Sequence, residues 1–402
     1  MLNNIANIKK LFYLGFAVAS TKVMLLLFAY FFDSTTYNYF NQIYYTASIV
    51  ILFGSLGFNI AITRINVRKW LVALTVFITT SFTFLILQIF SLPFKDIFEI
   101  ISILIYCIFI SLSGIYVFQL LFSGKYREYV LLTLIYSVLH LLIIPSILFF
   151  QIGLIEVLPI VAFLWFLISW KKYLKQDLSE SGSLKEFYKI GISAFVINSA
   201  VSLALAADKY FVNHFFTIDI ANAYTFAWGL TAPMFYIGVL IEQYLFSESN
   251  PSKTNILRKG FTLVTLLVVL YALIVISAIY FFPVIVPDSV DYFIVLKIFS
   301  LMISGYSLYV IIHFPVNAYL FKSLGTKKQK TISISFSIII LFFISLYSLM
   351  LQGILVIDYV QLLLITWSYI FILLMAKVFI MFRNNSEVDT HENILEIKNI
   401  EP

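Results

Sequence analysis

Charged side chains are scarce in this sequence. Asp, Glu, Lys and Arg make up 11% of the 402 residues, against roughly 25% in a typical soluble domain. Hydrophobic residues make up 62%, and the mean hydropathy is +1.00. This composition excludes an ordinary soluble globular protein and predicts that membrane lipids surround most of the chain.

Residues and motifs of common enzyme sites are also missing. The single cysteine, Cys107, leaves no partner for a disulfide within the chain or for a site made of several thiolates. Neither the phosphate-binding P-loop nor the G-x-S-x-G serine motif occurs. The four histidines show no metal-binding spacing and lie on separate segments: His140, His214, His313 and His391. We therefore expect no metal site, no cofactor and no enzymatic activity.

Long apolar runs fill the chain instead. A helix needs about 20 mostly apolar residues to cross a hydrocarbon core of about 30 Å. Twelve such spans are predicted, near 11–32, 42–62, 70–92, 97–122, 129–150, 155–174, 190–215, 221–246, 260–286, 292–321, 332–352 and 359–382. The fourth and tenth are long enough to be tilted or broken.

The cations lie almost entirely in alternate gaps between these spans. Of the 26 Lys and Arg, 21 fall on the side that holds both termini, and only Lys95 falls in a gap on the other side. This bias places both termini in the cytoplasm. It also explains the isoelectric point of 9.0 without a nucleic acid partner, because basic loops are stabilised beside anionic lipids.

The spans divide into two sets of six. The polar stretch between spans six and seven is the longest internal break, so we predict an N-terminal bundle (1–174), a cytoplasmic linker (175–189), a C-terminal bundle (190–382) and a cytoplasmic tail (383–402). The predicted fold is thus all-α and membrane-embedded, with two six-helix bundles around a central cavity near the midplane.

Three segments resemble polysaccharide exporters of the O-antigen flippase type. Residues 208–216 read DKYFVNHFF, and residues 221–228 read ANAYTFAW, like that family's D-R-Y pattern, short turn and Ala-x-Tyr start of the eighth span. Residues 56–64, LGFNIAITR, resemble its L-G-x-x-x-A-x-x-R end of the second span. Lys209 departs from the pattern, which more often has Arg at that position.

The resemblance implies a flippase of the multidrug/oligosaccharidyl-lipid/polysaccharide exporter superfamily. Such a protein would move an undecaprenyl-diphosphate-linked oligosaccharide, a repeat unit of O-antigen or a related surface polysaccharide, from the cytoplasmic to the periplasmic leaflet by alternating access. An ion gradient of H+ or Na+ would drive it, and a polysaccharide polymerase is an expected partner.

Charges within the spans identify the candidate site. An ionisable group at bilayer depth costs about 2.5–3.5 kcal/mol on insertion scales. Lys22 lies near the middle of span one and is predicted to bind the diphosphate or acidic sugar from the cavity. Near the outer end of span seven, Lys209 is a second candidate for substrate binding, and Asp208 is a candidate gate or coupling carboxylate.

Purely structural roles for these residues are the alternative interpretation. Lys22 could belong to a buried pair, and Asp208 and Lys209 could be an interfacial acid and a snorkelling lysine, because neighbours on a helix point about 100° apart and are not expected to pair. Four further residues are predicted in structural roles: Lys297 and Lys377 snorkelling, Glu242 at a solvated helix end, and His140 as a hydrogen-bonded buried imidazole. Pro315, beside His313, is expected to bend span ten.

Two other functions remain alternatives. A cation-coupled exporter of drugs or other small molecules would have the same architecture, and only the charge of the cavity would separate it from a flippase. An integral-membrane acyl- or glycosyltransferase would need a cluster of catalytic residues at one membrane face, which the short loops do not supply. The excess of cations within the spans favours an anionic substrate.

Overall fold

The computed structural model describes residues 20–21, 23–55, 57–62, 65, 67–90, 96–122, 125–174, 183–247, 253–323, 349 and 357–398. The regular structure in these ranges is helical. Residues 23–31 form the described helix of span one. The other helices are Ser34–Gly54, Phe58–Ala61, Lys69–Phe90, Ile97–Phe122, Tyr126–Leu141, Ile143–Phe150, Leu154–Leu174, Leu184–Phe215, Ile218–Thr231, Pro233–Ser247, Lys253–Phe281, Tyr292–Ser323 and Tyr359–Lys398, with a short 3-10 turn at Pro283–Ile285.

The prediction of an all-α membrane fold is confirmed. Eight helical segments in the described ranges are long and apolar enough to cross a membrane, and they coincide with predicted spans three to six, eight to ten and twelve. Spans two and seven are also helical. Predicted span eleven lies outside the described residues, apart from Leu349.

Helix caps move two predicted boundaries. Span two begins at Ser34 rather than near 42, because the side chain of Asp33 accepts a hydrogen bond from the backbone N–H of Thr36 at 2.9 Å. This bond and a second one from the Thr36 hydroxyl hold the pKa of Asp33 below its usual value. Span seven begins at Leu184 rather than 190, because Ser183 caps its first turn by accepting from the backbone N–H of Glu186.

The breaks in the helices fall outside the two longest spans. Spans four and ten, which are long enough to be tilted or broken, are each one continuous helix, and Pro315 lies inside span ten. Span five is interrupted at Leu142 and span eight at Ala232, where Pro233 starts a new helix. Proline is favoured at this position because its missing N–H has no helical partner there. The last helix continues past the predicted end of span twelve to Lys398.

Spans two and seven bring the two halves together. Span ten is central in the second half, against spans eight, nine and twelve, and span four packs against spans two, three, five and six. Span seven lies along span two and the short helix Phe58–Ala61, and it also contacts spans eight and twelve. The boundaries of the two bundles at 174 and 190 stay a prediction.

A backbone contact holds this seam near one end. Gly57 has φ +69°, a conformation that residues with a Cβ rarely adopt. A Cβ at Gly57 would lie 2.3 Å from the carbonyl oxygen of Gly191 and 2.6 Å from the backbone nitrogen of Phe195. Only glycine lets span seven approach this closely, so part of the flippase-like segment 56–64 has a structural role.

Candidate functional site

Asp208 and Lys209 form a buried ion pair. The Lys209 Nζ lies 2.8 Å from Asp208 Oδ1 and 3.1 Å from Oδ2, and both side chains are 0% exposed. The expectation that these neighbours would not pair is therefore wrong, because the long lysine chain turns back over the 100° that separates the two Cβ directions. Asp208 is therefore not an interfacial acid, and Lys209 is not a snorkelling lysine.

Aromatic side chains from spans eight and ten complete this pair. The Tyr224 hydroxyl donates to Asp208 Oδ2 at 2.7 Å, and the Tyr306 hydroxyl is 3.4 Å from the same atom. The Lys209 ammonium lies 3.5 Å from the ring centroid of Trp228, a favourable cation–π geometry. We call Asp208, Lys209, Tyr224, Trp228 and Tyr306 the aromatic charge site.

The aromatic charge site lies one helical turn from contacts between the two halves. The Asn213 amide donates to the carbonyl of Lys209 at 2.8 Å, and Gln42 of span two donates to the carbonyl of Asn213 at 2.8 Å. Thr46 of span two is hydrogen-bonded to His214 Nε2 at 3.2 Å. A change at Asp208 or Lys209 can therefore reach the seam between the halves through a single turn of span seven.

A second set of contacts closes the seam at the end that holds Asp33 and Thr217, called the outer end after the predicted orientation. Ser34 donates to the carbonyl of Ser289 at 3.0 Å, and Ser289 donates to the carbonyl of Ala29 at 2.5 Å. Asn222 donates to the carbonyl of Ser34 at 2.9 Å, and the Tyr30 hydroxyl to that of Ile285. These hydrogen bonds, all between the two halves, are called the outer latch.

The opposite end of spans two and seven is also closed. Phe58 stacks on Phe187 with ring centroids 5.2 Å apart, and it meets Tyr188 edge-on. The hydroxyls of Tyr188 and Thr75 are 2.6 Å apart. Spans two and seven therefore meet along their length, with polar contacts towards the outer end and aromatic contacts at the opposite end, called the cytoplasmic end after the same predicted orientation.

A second buried acid–base cluster was not recognised in the sequence. The Asn317 amide nitrogen of span ten donates to the Glu242 carboxylate of span eight, and the Lys377 Nζ of span twelve donates to Asn317 Oδ1 at 3.0 Å. Lys377 is only 6% exposed. The predictions of a snorkelling Lys377 and a solvated Glu242 are therefore wrong, because both charges turn inward to the same amide.

The other predicted residues have simpler surroundings. Lys297 is exposed, with its ammonium 5.5 Å from the ring centroid of Tyr359. His140 is fully buried between the carbonyl of Tyr136 and the hydroxyl of Tyr106, at 2.9 and 3.1 Å, as expected for a hydrogen-bonded imidazole. Lys22 lies outside the described residues, so its role stays a prediction.

Comparison of structures, but not of sequences, finds proteins similar to this chain. No protein-family model and no curated protein matches the sequence. An outward-facing multidrug resistance MATE family transporter of the MOP superfamily aligns with a TM-score of 0.57 and 13% identity, covering 95% of this chain and 96% of the other. An inward-facing MATE family transporter gives 0.52 and 12% identity over 94% and 95%.

A third solved structure shows that this fold also occurs with a different pocket. It is a MOP superfamily transporter from Pyrococcus furiosus, described as having a binding pocket of reverse polarity that suggests a different function. It aligns with a TM-score of 0.50 and 10% identity over 94% of this chain and 96% of the other. The chain studied here thus has the fold of MOP superfamily transporters.

Proposed function

We propose that this protein is an ion-driven flippase for an undecaprenyl-diphosphate-linked oligosaccharide in the bacterial inner membrane, with both termini in the cytoplasm. One observation carries the proposal. The two flippase-like segments of the second half, 208–216 and 221–228, meet in the aromatic charge site, where Tyr224 binds Asp208 and Trp228 covers Lys209. The residues that carry the resemblance are therefore joined in one buried, charged arrangement.

The buried pair suggests how substrate and conformation are linked. Asp208 neutralises Lys209 in this conformation, so Lys209 can attract an anionic group only after the carboxylate releases it. Removing one partner of a buried pair is costly, typically about 3–5 kcal/mol. A diphosphate that replaced Asp208 as the counterion would offset this cost. Substrate binding would then favour a rearranged turn above Lys209.

The outer latch gives the rearrangement a direction. Alternating access requires the outer end to open, and the latch joins residues 29–34 of the first half to Asn222, Ile285 and Ser289 of the second. Because Asn213 and His214 also contact span two, movement of the turn above Lys209 would weaken the seam next to the latch. We expect substrate release on this side.

Cation-coupled drug export is the second candidate function. The two MATE neighbours are described as multidrug resistance transporters, and their fold fits this function equally well. The Pyrococcus furiosus neighbour is described by its pocket polarity as having a different function. Polarity of the pocket is therefore the property that separates the two candidates. A transferase has less support, since these neighbours are described as transporters.

Reconstitution separates the candidates. The purified protein would be placed in liposomes with a fluorescent undecaprenyl-diphosphate oligosaccharide, and translocation measured by access of an added glycosidase to the sugar. We expect the wild type to expose the sugar at least tenfold faster than protein-free liposomes, and Asp208→Asn to lose this activity. Asp219→Asn, at an exposed carboxylate one span away, is the matched control. Efflux of ethidium without oligosaccharide movement would establish the second candidate instead.

A further inference from the structure

The cluster of Glu242, Asn317 and Lys377 has the features of an ion-coupling site. It joins three spans of the second half through one amide, which donates to the carboxylate and accepts from the ammonium. Its members lie near the cytoplasmic end of the apolar part of spans eight, ten and twelve. Lys377 is buried and Glu242 is half-buried. The carboxylate is thus the less buried of the two charged groups.

One face of span ten connects this cluster to the aromatic charge site. Tyr306, Tyr309, His313 and Asn317 are spaced by three or four residues and so lie on one side of the helix. Tyr306 reaches Asp208 at the outer end of the row, and Asn317 binds Glu242 and Lys377 at the other. The row is about 16 Å long at 1.5 Å per residue.

The row consists of polar and titratable groups, and ring contacts link its first three members. The imidazole of His313 stacks on Tyr309 with ring centroids 4.7 Å apart, and Tyr309 packs against Phe235, which also contacts Tyr306. Pro315 lies two residues after His313, and it cannot donate the hydrogen bond that a helix residue normally gives to the carbonyl four residues earlier, here that of Ile311. The helix is thus weakened in the turn from Ile311 to Pro315, which contains His313.

Charged and polar groups on the neighbouring helices determine how the cluster would respond when Glu242 binds a proton. Span twelve contributes Lys377, and span ten contributes His313, Tyr309 and Asn317. Span nine, which packs on this part of span eight, has its cations Arg258 and Lys259 exposed at the cytoplasmic end. Lys377 is therefore the buried charge that balances Glu242, and the cluster is neutral when the carboxylate is ionised.

We propose that Glu242 is the proton-binding site that couples transport to a proton gradient. Binding a proton converts the Glu242 carboxylate to the neutral acid and removes the negative charge that Glu242 holds near the buried Lys377 ammonium. Loss of a charged partner from a buried pair is strongly unfavourable, so spans eight, ten and twelve rearrange until water reaches the ammonium. Release of the proton restores the neutral cluster and the packing described here.

The site suits a proton better than a metal cation. Sodium would need several oxygen ligands, but Asn317 Oδ1 already accepts from Lys377, and the bound ammonium repels a second cation. The proposal rests on the protein being a transporter, as proposed above, but not on the identity of the substrate. Its tests therefore include one that needs no transport.

The first test follows the protein alone. Hydrogen exchange of full-length protein in nanodiscs would be measured from pH 5 to 9 for peptides that cover 236–247, 309–320 and 370–381, after correction for the intrinsic pH dependence of exchange. We expect these peptides to lose protection together, by at least tenfold, as the pH falls. Glu242→Gln should remove this response and Glu242→Asp should keep it. Lys377→Gln should also remove the loss of protection at low pH, because without the buried ammonium the protonated cluster carries no charge.

The matched control is Glu156→Gln, which changes a carboxylate at the start of span six and should keep the wild-type response. Absence of a pH response in the wild type, or an unchanged response in Glu242→Gln, would overturn the proposal. If Glu242→Gln does not fold, the lost response of Lys377→Gln and the retained response of Glu242→Asp decide the question. A wild-type response in Lys377→Gln would then reject it.

The second test measures coupling in proteoliposomes with whichever substrate is transported. We expect a proton gradient to stimulate transport by the wild type at least tenfold, and Glu242→Gln to keep downhill exchange without this stimulation. Stimulation by a sodium gradient alone would overturn the proposal while leaving transport intact. A protein that shows the pH response but moves neither substrate would contradict the proposed function and leave the proton site standing.

Discussion

Buried charges in the second half of this protein are held by specific hydrogen bonds. Asp208 accepts from the backbone and side chain of Lys209 and from Tyr224. Glu242 is joined to Lys377 through Asn317. Each arrangement is neutral as a whole, which lowers the cost of placing its charges at bilayer depth. Because Asp208 neutralises Lys209, the preference for an anionic substrate now depends mainly on Lys22.

The Asp208–Lys209 pair should dominate local stability. Asp208→Asn keeps the volume but leaves the Lys209 ammonium without a counterion, so we expect a loss of about 3–5 kcal/mol. The double variant Asp208→Asn with Lys209→Met should recover most of this loss, because no charge remains buried, yet it should still fail to transport. Thermal unfolding in detergent and the liposome assay measure the two properties. Equal destabilisation of the single and double variants would show that the pair contributes through packing alone.

Gly57 provides a second test at a single residue. Gly57→Ala places a Cβ 2.3 Å from the Gly191 carbonyl oxygen at φ +69°, where an L-residue costs about 1–2 kcal/mol before any clash. We expect a loss of more than about 2 kcal/mol and reduced expression in the membrane. The control is Gly114→Ala, since a Cβ at Gly114 meets nothing within 4 Å and alanine favours a helix. Similar melting temperatures for the two variants would contradict the close contact.

At the scale of helices, proline positions divide the second half into segments that can move. Pro233 starts the second helix of span eight, which carries Glu242, and Pro315 lies between His313 and Asn317 of span ten. Pro315 lies two residues before Asn317 of the cluster to which we assign proton binding, and Pro233 starts the helix segment that carries Glu242. A rearrangement of the cluster can therefore be taken up by these two positions without unfolding the outer parts of the same spans.

Pro315→Ala should stiffen span ten. Alanine restores the backbone N–H that proline lacks and favours a helix by about 3 kcal/mol over proline in a helix interior. We expect unchanged or higher thermal stability and at least fivefold slower transport. Pro159→Ala, inside the helix of span six, is the control and should leave transport near the wild-type rate. Faster transport by Pro315→Ala would show that the proline limits the movement instead of permitting it.

Hydropathy predicts the helices well because a membrane span needs a run of apolar residues whatever its neighbours are. It cannot place contacts between spans. Asp208 and Lys209 were recognised as candidates, but their pairing depends on how the lysine chain folds back, and Tyr224 and Trp228 come from another span. The Glu242 cluster was missed because its three residues lie on three spans, although the Tyr306–Tyr309–His313–Asn317 spacing marks that face of span ten.

The whole molecule consists of two halves that meet along spans two and seven. The seam has hydrogen bonds at its outer end and a glycine contact with aromatic stacking at its cytoplasmic end. Hydrogen bonds to carbonyls are easily exchanged for bonds to water, whereas the glycine contact and its aromatic cover exclude water. The outer end should therefore open first, with the cytoplasmic contacts between spans two and seven acting as the pivot.

The orientation of this seam in the membrane can be tested directly. The cation bias predicts that reporter fusions after residues 180 and 255 are cytoplasmic and that fusions after residues 153 and 289 are periplasmic. Alkaline phosphatase and green fluorescent protein fusions report the two compartments with opposite signals. A periplasmic signal after residue 180 would contradict the two-half arrangement and the assignment of the outer latch to the periplasmic side.

Cross-linking the outer latch should stop transport. The Ser34 hydroxyl donates to the backbone carbonyl of Ser289 in the other half at 3.0 Å, so Ser34→Cys with Ser289→Cys places thiols on two contacting residues at the outer end. We expect oxidation or a short thiol cross-linker to slow transport at least tenfold, because alternating access requires this end to open. A reductant should restore transport after oxidation, because it breaks the disulfide. The native Cys107 is fully buried and should not compete. The single cysteine variants are the controls: Ser34→Cys loses the bond to the carbonyl of Ser289, and Ser289→Cys loses the bond to the carbonyl of Ala29, but neither can be cross-linked within the chain. Full transport by the cross-linked protein would show that substrate leaves by another route and that the latch is only a structural contact.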